Sequence, residues 1–351
     1  MIKLMTPGPT QVRENVRMAR SKATTNPDLD LEFYDFYKDT CRLYSSLLHT
    51  DNESFLLSGE GILGLEAAVC SITEPGDRVL VLDNGVFGKG FADFVKIYGG
   101  EPVVLSMDYT KEIDTVKLKE FLDKDSDFKY ATVVHCDTPS GMLNDIKVIC
   151  PLLKSYGIMT VVDSVSGMFG NYVNVDEAQI DILCGGSQKA LSAPIGITMV
   201  TLSNDAKKVI NERKTPIASF YCNLKTMFSY YEDKWFPYSM PISDIMGCPH
   251  RPGARQHPDP VRLPDARPHA AGCRAYPHHA SGLDADRAKP LAGGHGQARA
   301  LAPLDHDLLR HHATDNRSRP HRGGDEFLFG AVFRGRSQPH HESAAGCRRI
   351  R

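Results

Sequence analysis

The chain has 351 residues, 41% of them hydrophobic and 24% charged, with a formal net charge of −2. That length accommodates one large α/β domain and a smaller one, and the charge gives no general attraction to nucleic acid or to an anionic membrane. No apolar run approaches the roughly 18 residues that span a bilayer, and residues 1–7 lack the apolar core of a secretion signal, so a cytoplasmic location is expected.

In chain order, the periodicity predicts a helix over 31–48, a strand at 54–57, a helix at 62–72 and a strand at 78–82. A helix over 89–98, a strand at 102–105, a helix over 115–122 and a strand at 131–135 come next. The pattern ends with a helix over 146–156, strands at 159–163, 180–184 and 196–202, and a helix over 206–213. The strands are continuous apolar runs, as in strands buried on both faces. Turn signals such as Glu74-Pro75-Gly76-Asp77 and Tyr98-Gly99-Gly100 separate them. Strands alternating with helices predict a mostly parallel seven-stranded sheet with helices on both faces. Ligands of such sheets bind beyond the carboxyl ends of the strands.

Residues 248–351 are a different kind of polypeptide. Residues 1–247 hold 18 Lys and 6 Arg, whereas 248–351 hold 1 Lys and 16 Arg, with 12 of the 14 His. Formal charge changes from −9 to +7 across this boundary. The tail has no sustained apolar period, so it cannot bury enough surface to offset its chain entropy. Its Arg, Ala, Pro, Gly and His are what GC-rich codons give in a wrong reading frame. We therefore expect a frameshifted, disordered segment where a small domain belongs; a natural basic tail is the alternative. The pairs His278-His279, His311-His312 and His340-His341 lack a visible scaffold, and no metal site is expected. The nine cysteines form no C-x-x-C pair, which points to free buried thiols.

Five places in residues 1–247 carry chemistry. Ser58-Gly59-Glu60-Gly61 joins a strand to a helix, and such a turn offers backbone N–H groups to a phosphate. Glu60 conflicts with that role, because a carboxylate repels a dianion; it must point away, be neutralised or serve a substrate amine. Phe87, in Asn84-Gly85-Val86-Phe87-Gly88, can lie flat over a cofactor ring. His135-Cys136-Asp137-Thr138-Pro139-Ser140-Gly141 ends a strand with hydroxyls that could bond a phenolate or a phosphate. Asp163 ends the next strand, and Lys189 lies 26 positions further on in Gly185-Gly186-Ser187-Gln188-Lys189-Ala190-Leu191. A lysine and a strand-end aspartate converging on one crevice suit pyridoxal 5'-phosphate. The amine forms a Schiff base with the aldehyde, and the carboxylate keeps the pyridine nitrogen protonated.

Six stretches in order, Thr6-Pro7-Gly8-Pro9-Thr10, Ser58-Gly59-Glu60-Gly61 with Leu65-Glu66-Ala67, Asn84–Gly88, Thr138-Pro139-Ser140-Gly141, Val162-Asp163-Ser164-Val165 and Ser187–Leu191, give residues 1–247 a family likeness. The chain resembles the class V pyridoxal-phosphate-dependent aminotransferases, in the alanine–glyoxylate / serine–pyruvate branch. The resemblance implies fold-type I, a homodimer with shared active sites, and transamination between a small amino acid (alanine or serine) and a 2-oxo acid (glyoxylate or pyruvate). It makes Lys189 the Schiff-base lysine and proton carrier, and Asp163 the partner of the ring nitrogen. Phe87 becomes the stacking residue, Thr138 or Ser140 the neighbour of the phenolic oxygen, and Ser187 and Gln188, with the amides of Glu60, Gly61 and Ile62, the phosphate holders. It puts Pro7 and Gly8 beside the substrate, and Ser239, within Phe236–Pro241, at a neighbouring subunit's phosphate.

Three departures from the family pattern stand out: Thr25-Asn26-Pro27-Asp28 where a His-Arg pair is common, Glu60 where a small residue is usual, and no recognisable arginine to clamp a substrate carboxylate. Within the same fold, 2-aminoethylphosphonate–pyruvate transamination is the alternative reaction. A lyase of the cysteine desulfurase kind would need a catalytic cysteine beyond residue 247. Outside catalysis, the alternatives are a cofactor-binding but inactive fragment and a nucleic-acid-binding tail.

Overall fold

The structure is a computed structural model and describes residues 3–248. The expected frameshifted tail, its histidine pairs and the expected loss of a small domain lie outside the described residues, Cys248 apart. The chain enters through α1 (Glu14–Arg20) and α2 (Leu31–Leu47), then runs β1 (Glu53–Ser58), α3 (Gly61–Ile72), β2 (Arg78–Asp83), α4 (Val86–Ile97), β3 (Glu101–Ser106) and α5 (Thr115–Leu122). After β4 (Tyr130–Val134), a two-residue pair, β5 (Cys136–Asp137) and β6 (Met142–Leu143), brackets a tight loop. The chain continues through α6 (Ile146–Ser155), β7 (Met159–Asp163), β8 (Ile182–Gly186), β9 (Ile197–Leu202), α7 (Asn204–Asn211), a 3-10 turn over Leu224–Met227, and α8 (Ile242–Gly247).

Seven strands make one sheet in the order β1-β9-β8-β7-β4-β2-β3. The β3–β2–β4–β7–β8 half is parallel throughout, whereas β9 runs antiparallel to both β8 and β1. Two reversals restore direction, so β1 points the same way as β8. The carboxyl ends of β1, β2, β4, β7 and β8 therefore meet at one edge, and the loops leaving those strands gather there.

Cover on both faces explains the continuous apolar strands. Every residue of β4, β8 and β9 is buried, and Phe55, Leu80, Val133, Val162 and Leu183 are fully enclosed. Each such side chain contributes roughly 1.5–3 kcal/mol relative to exposure. Side-chain caps start the helices: Asp30, Glu60, Asp114, Asp145 and Ser203 each accept from an N–H in the first turn of α2, α3, α5, α6 and α7.

The expected strands and the six expected helices are all present, with shifted ends. β8 starts two residues later than read, after Asp181, which is buried and pairs with Lys154 at 2.9 Å. The direction of β9, the helices α1 and α8, and the 3-10 turn were not foreseen. The seven described cysteines are all buried. Among the described residues no helix is long and apolar enough to cross a membrane.

Candidate active site

A cleft of about 290 Å³ opens at the shared strand edge. Its walls come from the loops after β1, β4, β7 and β8, from the first turns of α3 and α4, and from the N-terminal arm. Lys189, Asp163, Phe87, Thr138, Gln188, Glu60, Ile62 and Gly8 all line it, although they are scattered over some 180 positions of sequence. A larger groove of about 720 Å³ lies between the end of α2 and the start of β1, lined by Lys38, Arg42 and Glu53 among others. We place the site in the smaller cleft, which alone pairs an amine with a buried carboxylate.

Lys189 lies beyond β8 in a tight turn. Ser192 N donates to Lys189 O at 2.9 Å, and the arm crosses above it. Thr10 N donates to Gln188 O at 2.9 Å, and Thr10 Oγ1 donates to Lys189 O at 2.7 Å. The lysine amine donates to Thr138 Oγ1 at 3.2 Å, and Thr138 shares a short hydrogen bond with Ser166. Partial burial lowers the Lys189 pKa; the negative charges of Asp163 and Glu60 oppose that shift without cancelling it. A larger share of free amine at neutral pH makes this lysine a better nucleophile than a solvated one.

Asp163 ends β7, 4% exposed. Burial raises its pKa to about 6, although the Val165 N–H and the Lys189 charge favour the anion. A cation held against this carboxylate would supply the compensation that burial removes. His135, which precedes the β5–β6 pair, is pushed down to about 4 by burial and shares a 2.9 Å hydrogen bond with Ser164 Oγ.

Glu60 has an unexpected position. Its carboxylate turns back to cap α3, accepting from Ile62 N at 3.0 Å and from Gln188 Nε2 at 2.8 Å. It thus occupies donors expected to hold a phosphate. Gly61 opens α3, and a Cβ there would press on Val165, 2.6 Å from its Cγ2.

Several expected residues point elsewhere. Ser187 is buried, but its hydroxyl donates to Pro194 O at 2.6 Å and accepts from Ile197 N, so it closes the β8–β9 turn. Ser140 donates to Asp137 Oδ2 at 2.8 Å and does not line the cleft, which leaves Thr138 as the hydroxyl beside Lys189. Pro7 is exposed and does not line the cleft, whereas Gly8 does. Ser239 donates to Asp28 Oδ2 at 2.8 Å on the surface of this chain.

Sequence reasoning missed two residues. Ser166 lines the cleft beyond Thr138. Asp137, 1% exposed, accepts from Phe87 N at 3.3 Å and from Ser140 N at 3.2 Å, so one carboxylate ties together the loops bearing Phe87 and Thr138. The signal available in the sequence was the place of Asp137 immediately before Thr138 in the strand-end stretch His135–Gly141. A Cβ on Gly85 would stand 2.4 Å from the Asp137 carboxyl carbon.

The family description of the class-V aminotransferases matches residues 22–230. An uncharacterized aminotransferase of Methanocaldococcus jannaschii is 37% identical over 231 residues, 66% of this chain and 60% of that protein. Alanine–glyoxylate aminotransferase of Felis catus is 29% identical over 259 residues, 74% of this chain and 58% of that protein. The crystal structure of pyridoxamine–pyruvate aminotransferase from Mesorhizobium loti superposes with a TM-score of 0.66 at 30% identity, covering 70% of this chain and 63% of that one. The match therefore spans about three fifths of each of these relatives. The fold is that of the fold-type I enzymes, the class V aminotransferases use pyridoxal phosphate, and this chain belongs to the class V aminotransferases.

Proposed function

We propose that this protein transfers an amino group from a small amino acid, alanine or serine, to a 2-oxo acid, glyoxylate or pyruvate. The observation that carries the reading is the half-buried amine of Lys189 sharing one cleft with the buried carboxylate of Asp163. The alanine–glyoxylate relative supports a small amino donor, and it and the pyridoxamine–pyruvate relative both support a small 2-oxo acceptor.

The residues present fit the ring of pyridoxal phosphate: an amine for its aldehyde, a buried anion for its nitrogen, and an aromatic wall in Phe87. Lys189, Asp163, Phe87 and Thr138 would hold the ring, with Gln188 and the first turn of α3 near its phosphate arm. When bound, the cofactor supplies an electron sink for the pair left behind as a proton leaves the substrate carbon. The protein's part is positioning and proton handling. Asp163, anionic once a cation pairs with it, holds the proton at the ring nitrogen. Lys189 Nζ, steered by Thr138 Oγ1, would take the proton from the substrate carbon and hold it for return in the same half-reaction. The arm passes over Lys189, with Gly8 close against the amine. No arginine lines the cleft among the described residues, so the group that clamps the substrate carboxylate is left unassigned. By family likeness we also propose a homodimer in which Ser239 serves the neighbouring site.

The test is the visible absorption of the full-length chain with pyridoxal phosphate, before and after L-alanine. A cofactor band that bleaches while pyruvate appears supports the reading. A band that persists under a panel of alanine, serine and 2-aminoethylphosphonate refutes it.

A further inference from the structure

We propose that Glu60 selects the form of vitamin B6 that this cleft retains, penalising the phosphate ester and favouring the unphosphorylated ring with its hydroxymethyl arm. The inference rests on the reading of the cleft as the cofactor site.

Three observations carry it. The first is charge. Glu60, Asp163 and Lys189 are the charged side chains on the cleft wall, so two carboxylates face one ammonium. A phosphate ester brings up to two further negative charges, and among the described residues no second cation lines the cleft to meet them. The second is donor supply. Ile62 N and Gln188 Nε2, on the wall nearest the α3 N-terminus, both already serve the Glu60 carboxylate, and the Ser187 hydroxyl is committed to its own turn. A phosphate would have to displace Glu60 to reach them, and that leaves an anion beside an anion.

The third observation is a wall rich in acceptors. Gln188 is 5% exposed, and among the described residues its buried Oε1 has no hydrogen-bond donor. A phosphate dianion accepts hydrogen bonds and has none to give. A hydroxymethyl group carries an O–H that can donate to the Glu60 carboxylate, and it brings no charge. The polarity of this wall thus suits an alcohol, whereas the helix N-terminus without Glu60 would suit an anion.

Equilibrium dialysis of the full-length chain against pyridoxal 5'-phosphate and against pyridoxal tests the proposal, on the native chain, Glu60→Gln and Glu60→Ser. Serine keeps a neutral cap on α3. Both variants should bind the phosphate ester roughly tenfold or more tighter, the scale of removing one like charge near a protein surface, with pyridoxal unchanged or weaker. Pyridoxal binding in the same samples reports that the cleft is still folded. Unchanged or weaker binding of the phosphate ester by both variants, with pyridoxal retained, overturns the role of Glu60 alone. Borohydride trapping separates the two readings. If neither compound is trapped at Lys189 in any of the three proteins, the cofactor site and this inference fall together.

Discussion

Gly8 is where the N-terminal arm passes over Lys189, and Gly8→Ala tests whether that close approach matters. A Cβ built on Gly8 would stand 2.4 Å from both Lys189 Cδ and Nζ, and 2.6 Å from Cε. Ordinary carbon contacts are roughly 3.5–4.0 Å, so the lysine end must move by about 1 Å or the arm must lift. Lifting is opposed by bonds from Thr10 N, Thr10 Oγ1 and Arg13 N to the backbone of Gln188, Lys189 and Ser192, each contributing roughly 0.5–1.5 kcal/mol. The flexible lysine end yields first. Global stability should then change by less than about 1 kcal/mol, while a reactive group misplaced by about 1 Å loses on the order of 100-fold in rate. The assay pairs thermal unfolding with the rate of borohydride-trapped attachment of pyridoxal phosphate at Lys189. An unchanged Tm with a wild-type attachment rate would refute the arm's role. A large loss of Tm would show that the arm, and not the lysine, gives way.

Burial holds His135 neutral with a pKa near 4, below the unfolded value of about 6.5. The folded state then binds fewer protons than the unfolded state, so the stability from this group is present above pH 6.5 and is lost as pH falls toward 4. About 3 kcal/mol is at stake, and His135→Asn should flatten the stability–pH curve over that window; an unchanged slope contradicts the assignment. Asp137→Ala leaves Phe87 N and Ser140 N without their acceptor. It should cost roughly 1–3 kcal/mol in denaturant unfolding, and a neutral result would mean water replaces the carboxylate. Thr138→Val removes the hydroxyl that accepts from Lys189, which should slow attachment of the cofactor up to about tenfold with little change in Tm. Equal rates would show that Thr138 does not orient the amine. Asp163→Ala should reduce transamination far more than cofactor retention, and parallel losses would argue that it only helps bind the ring.

Much of the fold was legible because buried parallel strands announce themselves as Val, Ile and Leu runs, and β4, β7 and β9 lie where those runs are. Strand direction was not legible from such runs. Only ten residues separate β8 from β9, too few for the crossover that a parallel pair requires; that spacing was the signal for an antiparallel β9. α1 escaped notice because Val16 is its one buried residue, and its packing on α8 depends on contacts distant in sequence, as where Arg20 meets Asp244 at 2.6 Å. α4 begins at Val86, earlier than read, because Gly85 offers no side-chain cap and a carboxylate some fifty positions away accepts from the first turn instead.

The site was legible in its chemistry and less so in its orientations. Lys189 and Asp163 lie together as strand-end logic requires. Whether a hydroxyl faces the cleft or its own turn depends on neighbours that a sequence does not rank. Ser187 and Ser140 went to their turns, and Thr138 went to the amine. Glu60, foreseen as a conflict, is resolved by capping α3 and pairing with Gln188.

Mapping the point of cofactor attachment tests the central claim most directly. The full-length chain, incubated with pyridoxal phosphate, reduced with borohydride and digested, should carry one phosphopyridoxyl group, on Lys189, and Lys189→Ala should carry none while keeping the same unfolding temperature. Label spread over exposed lysines such as Lys111 and Lys225, undiminished in Lys189→Ala, would contradict the account.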